Sequence, residues 1–124
     1  MNIFGIGTDI VSVDRIKKSL KNKKFIGRIF NEKEIFKCKK NNNSVNCYAK
    51  RFAAKEAFSK AFGTGISGDV RFKEIRILRN ENGKPYMHAG KVLKKHMNNL
   101  GIREAHVSLS DEDNYVIAYA LLER

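Results

Sequence analysis

The sequence has no tryptophan, a single proline, two cysteines and only 13 acidic residues against 25 basic ones. Cys38 and Cys47 sit in a lysine- and asparagine-rich stretch and are read as free thiols of a reducing compartment rather than as a disulfide or a metal site. No run approaches the roughly 18 apolar residues that span a bilayer, which argues against a membrane partner. The segment Met1-Asn2-Ile3-Phe4-Gly5 lacks the basic head and long apolar stretch of a secretory leader, so a cytoplasmic location is expected. The shortage of acid leaves a net charge of +12, enough to steer acidic partners: nucleic acid, acidic proteins or phosphorylated cofactors. A merely solvated basic surface is the alternative.

What is present is a core-forming composition. The chain is 42% hydrophobic with eight phenylalanines, which excludes a disordered chain, and 124 residues suit one domain over 1–124. No linker, repeat or low-complexity segment divides it. Ile3 to Val11 reads as a strand, with Phe4, Ile6 and Ile10 on an expected core face and Gly5, Gly7 and Asp9 on a nearly bare one. Val13 to Leu20 and Phe25 to Phe36 carry helical spacing, and Lys39 to Ser44 reads as a loop. Val45 to Phe62 has no Gly or Pro and is stopped by Gly63-Thr64-Gly65, which predicts a long central helix. A hairpin around Asn80–Gly83, a helix from Val92 to Leu100 and two strands, Ala105 to Leu109 and Tyr115 to Leu122, complete the reading. The fold class is therefore α+β: an antiparallel sheet packed on a long central helix, with short helices.

Two carboxylates stand out. Asp9 shares its strand face with two glycines, so something must approach there, although a strand-end Asp also caps turns. Glu56 lies on the helix face of Tyr48, Phe52 and Ser59, where a carboxylate needs a partner. Lys60, one turn on, offers an ordinary i,i+4 pair. If Asp9 and Glu56 meet, they present two hard oxygen ligands of the kind Mg²⁺ accepts beside water and phosphate oxygens.

Gly5-Ile6-Gly7-Thr8-Asp9-Ile10 resembles the opening strand of the 4′-phosphopantetheinyl transferases, and Arg51-Phe52-Ala53-Ala54-Lys55-Glu56-Ala57-Phe58-Ser59-Lys60-Ala61-Phe62-Gly63-Thr64-Gly65 resembles their central signature. Asn82-Gly83-Lys84-Pro85 and His106-Val107-Ser108-Leu109-Ser110 follow in family order, so the resemblance covers nearly the whole chain, and its length is similar to the holo-acyl-carrier-protein synthase group. The resemblance implies transfer of 4′-phosphopantetheine from coenzyme A to a serine of an acyl carrier protein, in support of fatty acid biosynthesis. It implies Mg²⁺ on Asp9 and Glu56, and Lys60 at the phosphates. Glu56 is one candidate for taking the serine proton, and a carboxylate after the second helix is another, although Glu34-Ile35 is followed here by Phe36 rather than by an acid. Arg51, Gly63 and Gly65 would help hold coenzyme A, with Gly83, Lys84 and Pro85 near its nucleotide end and His106 as a further contact. The glycine turn also reads as a helix stop, Gly83 and Pro85 as hairpin residues, and His106 as a structural histidine.

Acyl carrier proteins are acidic, which gives the basic helices a purpose: Arg15 and Arg28 would steer the carrier and Phe25 would anchor it. The resembled group forms homotrimers with active sites between subunits, so Arg51 of one subunit is expected to complete the Asp9–Glu56 site of another. The last strand favours such assembly, because Tyr115, Ile117, Tyr119 and Leu121 on one face and Val116, Ala118, Ala120 and Leu122 on the other are all apolar. A basic nucleic-acid-binding domain would share the charge, but zinc spacing, a helix-turn-helix pattern and RNA-recognition signatures are missing, and no nucleic-acid partner is expected.

Overall fold

Short polar residues set where the helices begin. Ser12, Asn22, Asn31 and Asn43 each accept a backbone N–H from the first turn of the helix that follows, satisfying donors the helix itself leaves free. The computed structural model describes residues 2–124 and runs β1 (Ile3–Ser12), α1 (Val13–Ser19), α2 (Lys23–Ile29), α3 (Glu32–Lys40), α4 (Ser44–Ala61), a 3-10 turn (Phe72–Glu74), β2 (Ile75–Arg79), β3 (Pro85–Ala89), α5 (Lys91–Asn99), β4 (Glu104–Glu112) and β5 (Tyr115–Glu123). Among the described residues no helix is long and apolar enough to cross a membrane.

The α+β expectation holds, with the antiparallel strands divided between two sheets, β1-β5-β4 and β2-β3. The helical segment expected over Phe25–Phe36 is two helices. Asn31 is extended and forms a capping box with Glu34, which ends one helix at Ile29 and starts another. Because α3 then continues to Lys40, the expected loop shrinks to Asn41–Asn43.

The cysteine expectation is corrected: Cys38 and Cys47 form a disulfide, with Cα atoms 5.4 Å apart. The short connection folds α4 back onto the end of α3, bringing together two buried side chains that sequence separation alone does not pair.

The faces of β1 are also the reverse of expectation. Gly5 and Gly7 are on the core side, where a Cβ would overlap the carbonyl oxygens of Ala61 and Ala57, so strand backbone lies directly on α4. Ala53, Ala54, Ala57 and Ala61 make the matching helix surface, and Val116, Ala118, Ala120 and Leu122 of β5 are buried in the same core. Ile6 and Ile10 instead point outward and are 57% and 63% exposed, beside the exposed Tyr115, Ile117 and Tyr119 of β5. The bare face of β1 is the packed one because its smallness admits a helix.

One ion pair is sealed inside. Lys55 of α4 and Glu34 of α3 are both inaccessible, with Nζ 2.7 Å from Oε1. The carboxylate also accepts the backbone N–H groups of Asn31 and Ile77, so both of its oxygens are occupied.

Candidate functional site

The close approach of β1 to α4 puts Asp9 of the strand and Glu56 of the helix on the walls of one cavity of about 220 Å³. Lys60, one turn beyond Glu56, reaches back to the strand and donates to Asp9 Oδ1 at 3.1 Å and to the Thr8 carbonyl at 2.9 Å. The i,i+4 pairing of Lys60 with Glu56 is thus displaced by a bond to the other carboxylate. Burial raises the Glu56 pKa above the usual carboxylate value, the neighbouring Asp9 charge raises it further, and Lys60 opposes both. A site that strains the ionised form in this way favours a cation between the two acids.

The remaining walls come from β1, α1, α2 and α4, and include Ser12, Arg15, Phe25 and Phe52. Arg15 is exposed and reaches the cavity from α1, whose N-cap is Ser12. Phe25 is half-buried, its ring 5.9 Å from that of Phe52, which in turn stacks on Phe72 at 5.7 Å. Arg28 is exposed on the same helix as Phe25 but does not line this cavity. Two carboxylates, an arginine and two phenylalanines therefore line one cleft, and Lys60 joins it through its bond to Asp9.

Other expected site residues stand apart from that cleft. Arg51 is only 4% exposed and donates to the Cys47 carbonyl and Sγ, with its Nε lacking a partner among the described residues. Gly63 and Gly65 follow α4 directly. Gly63 has a φ of 84° that favours glycine, and the two N–H groups bond the carbonyls of Lys60 and Ser59, so the helix stop is real. Gly83 donates to the Asn80 carbonyl, Lys84 to the Asn80 side chain, and Pro85 opens β3, which makes this segment the hairpin turn. His106 lies exposed on β4 and bonds Glu123 across the sheet.

Sequence reasoning overlooked Glu34 and Lys55 as a pair. Asn31-x-x-Glu34 carried a capping-box signal that marks half of Glu34's bonds, but nothing in the spacing joins it to a lysine 21 positions later. Among the described residues no group of three or more His, Cys, Asp or Glu gathers to bind a metal. A cation here would rest on two carboxylates and on ligands the protein does not supply.

Residues 5–120 match the family model of the 4′-phosphopantetheinyl transferase superfamily. The chain is 44% identical to the holo-[acyl-carrier-protein] synthase of Pelagibacter ubique, over all of this chain and 99% of the relative. Its fold is similar to the crystal structure of the Neisseria meningitidis holo-[acyl-carrier-protein] synthase, with a TM-score of 0.95 and 44% identity over 99% of this chain and all of that one. The Helicobacter pylori synthase, solved in complex with coenzyme A, has a TM-score of 0.83 and 33% identity, covering 95% and 99% of the two chains.

Proposed function

The chain belongs to the 4′-phosphopantetheinyl transferase superfamily, in its holo-acyl-carrier-protein synthase group, and from that premise we propose how its own residues work. It moves 4′-phosphopantetheine from coenzyme A to a serine of an apo acyl carrier protein and releases adenosine 3′,5′-bisphosphate. A bond forms between the serine oxygen and the β-phosphorus of coenzyme A, the phosphoanhydride bond breaks, and the serine proton leaves to a base. The observation that carries this reading is the single cavity holding Asp9 and Glu56, with Lys60 bonded to Asp9 and with Arg15 and Phe25 on the cavity wall.

Asp9 and Glu56 would hold Mg²⁺. The donor set fits, because two hard carboxylates leave positions for water and phosphate oxygens, and because Asp9 and Glu56 share one cavity in which burial and then the Asp9 charge raise the Glu56 pKa. When bound, the ion supplies charge against the phosphate oxygens of the diphosphate. Lys60 adds its own, with one ammonium N–H beyond the two it spends on Asp9 and Thr8. Glu56, directly or through a water, would take the serine proton. Arg15 and Arg28 draw an acidic carrier toward the cleft, and Phe25 gives it an apolar contact.

We further infer a homotrimer, cytoplasmic and serving fatty acid biosynthesis. Support for assembly comes from the uncovered apolar face of β1 and β5, where Ile6, Ile10, Tyr115, Ile117 and Tyr119 are each 42% exposed or more. In that assembly the coenzyme A contacts expected of Arg51, Gly63, Gly65, Gly83, Lys84, Pro85 and His106 come in part from a neighbouring subunit. Incubation with coenzyme A, Mg²⁺ and apo carrier protein tests the activity: the carrier gains the mass of one phosphopantetheine, and an unchanged mass at complete mixing ends the reading. Light scattering gives the subunit number, and a monomer at micromolar concentration overturns the trimer.

A further inference from the structure

The contact between β1 and α4 is smooth. Gly5 and Gly7 lie against helix carbonyls, and Ala53, Ala57 and Ala61 present no projecting side chains. Such surfaces set how closely two elements approach, but without interlocking ridges they resist rotation of the helix about its own axis only weakly. Yet Asp9 is carried by the strand and Glu56 by the helix, so helix rotation sets the spacing of the two carboxylates. A side chain about 6 Å from the axis shifts by about 1 Å for a turn of roughly 10°. At a reacting centre about 1 Å of misplacement costs on the order of a hundredfold in rate.

Lys55, the residue before Glu56, is anchored at every donor. Its Nζ donates to Glu34 Oε1 at 2.7 Å, to the Phe72 carbonyl at 2.7 Å and to the Ile75 carbonyl at 2.5 Å, which uses all three N–H groups of an ammonium. Glu34 is held in turn by the backbone N–H groups of Asn31 at the start of α3 and Ile77 within β2. The bonds therefore run from α4 to three other pieces of chain, none of them β1. Lys60 also ties the helix to the strand, but from an exposed position and through Asp9, one of the groups to be positioned.

We propose that Lys55 and Glu34 are positioning residues for the transfer, fixing the rotation of α4 so that Glu56 stands opposite Asp9 at the spacing a divalent cation needs. The proposal rests on the reading of Asp9 and Glu56 as the metal-holding pair. Its test is the double variant Lys55→Met with Glu34→Gln, which removes both charges together and leaves neither one buried alone. Three quantities are compared with wild type: kcat and KM in the transfer assay, Mn²⁺ affinity in the presence of coenzyme A by electron paramagnetic resonance, and the thermal midpoint. The expected result is a folded protein whose kcat falls about 10- to 100-fold and whose Mn²⁺ affinity falls at least about tenfold, with KM for the carrier protein within about twofold. Wild-type kcat and Mn²⁺ affinity, whatever the thermal midpoint, would make the pair purely structural and overturn the proposal. If the double variant does not fold, Glu34→Asp replaces it, since it keeps both charges and draws the carboxylate back by one methylene. The same losses are expected there, and wild-type values again overturn the idea. Wild-type protein that neither transfers nor binds Mn²⁺ would refute the underlying reading instead, so the two failures are distinguishable.

Discussion

Lys55 and Lys60 leave the same helix little more than one turn apart, and each donates to a carboxylate and to at least one backbone carbonyl, yet their surroundings make them different tools. The Lys55 and Glu34 side chains are wholly buried, whereas Lys60 is 53% exposed and its partner Asp9 16%. Burial pulls the Lys55 pKa down while the adjacent Glu34 charge and hydrogen bond hold it up, leaving it lowered to about 8, so the ammonium persists at neutral pH. With every donor matched, Lys55 has nothing left for a substrate. Lys60 has a spare donor and open access, which is what a phosphate requires. In the proposed mechanism the sealed lysine shapes the site, and the open one acts in it.

Removing the acids that the open lysine serves has the largest expected effect. Asp9→Asn and Glu56→Gln keep side-chain volume but each take a charged ligand from a hard cation, so kcat should fall by about 10³-fold or more, with the thermal midpoint little changed. Transfer followed by intact mass at saturating Mg²⁺ checks this. A rate within about tenfold of wild type in either variant removes that residue from the metal site.

Next comes the contrast between the lysines themselves. Lys55→Ala strands a buried carboxylate and should cost about 3–5 kcal/mol of stability in denaturant unfolding. Lys60→Ala breaks an exposed pair and should change stability by no more than about 1 kcal/mol, while slowing transfer about 100-fold. If Lys60→Ala proves the more destabilising, the division of labour along α4 is wrong.

A smaller effect belongs to the rim. Arg15→Glu combined with Arg28→Glu should raise KM for the carrier protein about tenfold or more and leave KM for coenzyme A nearly unchanged, because in the proposed reading these charges steer the macromolecular partner. Equal increases for both substrates point to general damage.

Much of this architecture was legible because it depends on local signals. The glycine-terminated central helix, the Asn80–Gly83 hairpin and the doubly apolar β5 follow from periodicity and turn residues, and the structure bears them out. Asp9 and Glu56 were visible as misplaced acids, though only the close packing of β1 on α4 puts them in one cavity. What was not legible depends on partners distant in sequence. The strand face bearing Gly5 and Gly7 reads as bare until a helix of alanines is laid on it, and Ile6 and Ile10 read as core until that face is filled from elsewhere. Glu34 and Lys55 each look like surface charges, and only the turn of chain at Asn31 and the return of β2 enclose them together.

The smallest expected effect is in the pH dependence, and it sharpens the same contrast by isolating the acid that Lys60 only partly relieves. Glu56 is raised first by burial and then by Asp9, with Lys60 lowering it. Transfer needs its ionised form and bound Mg²⁺ favours that form, so the acidic limb of the kcat/KM profile should shift toward higher pH as Mg²⁺ is made limiting, and Lys60→Met should move that limb upward again. Stability should follow linkage in the metal-free protein. Because the folded pKa is raised above the unfolded one, the Glu56 contribution is fully present below the unfolded value and is lost as pH rises through the folded value. Metal-free Glu56→Gln, which cannot ionise, should therefore be more stable than wild type near about pH 7 and lose that advantage near about pH 4. Thermal melts of both proteins across this range, alongside the rate profiles, measure it. An acidic limb that stays in place as Mg²⁺ is made limiting, or an advantage for Glu56→Gln that grows as the pH falls, would show that the acids do not strain one another in the way their shared cavity implies.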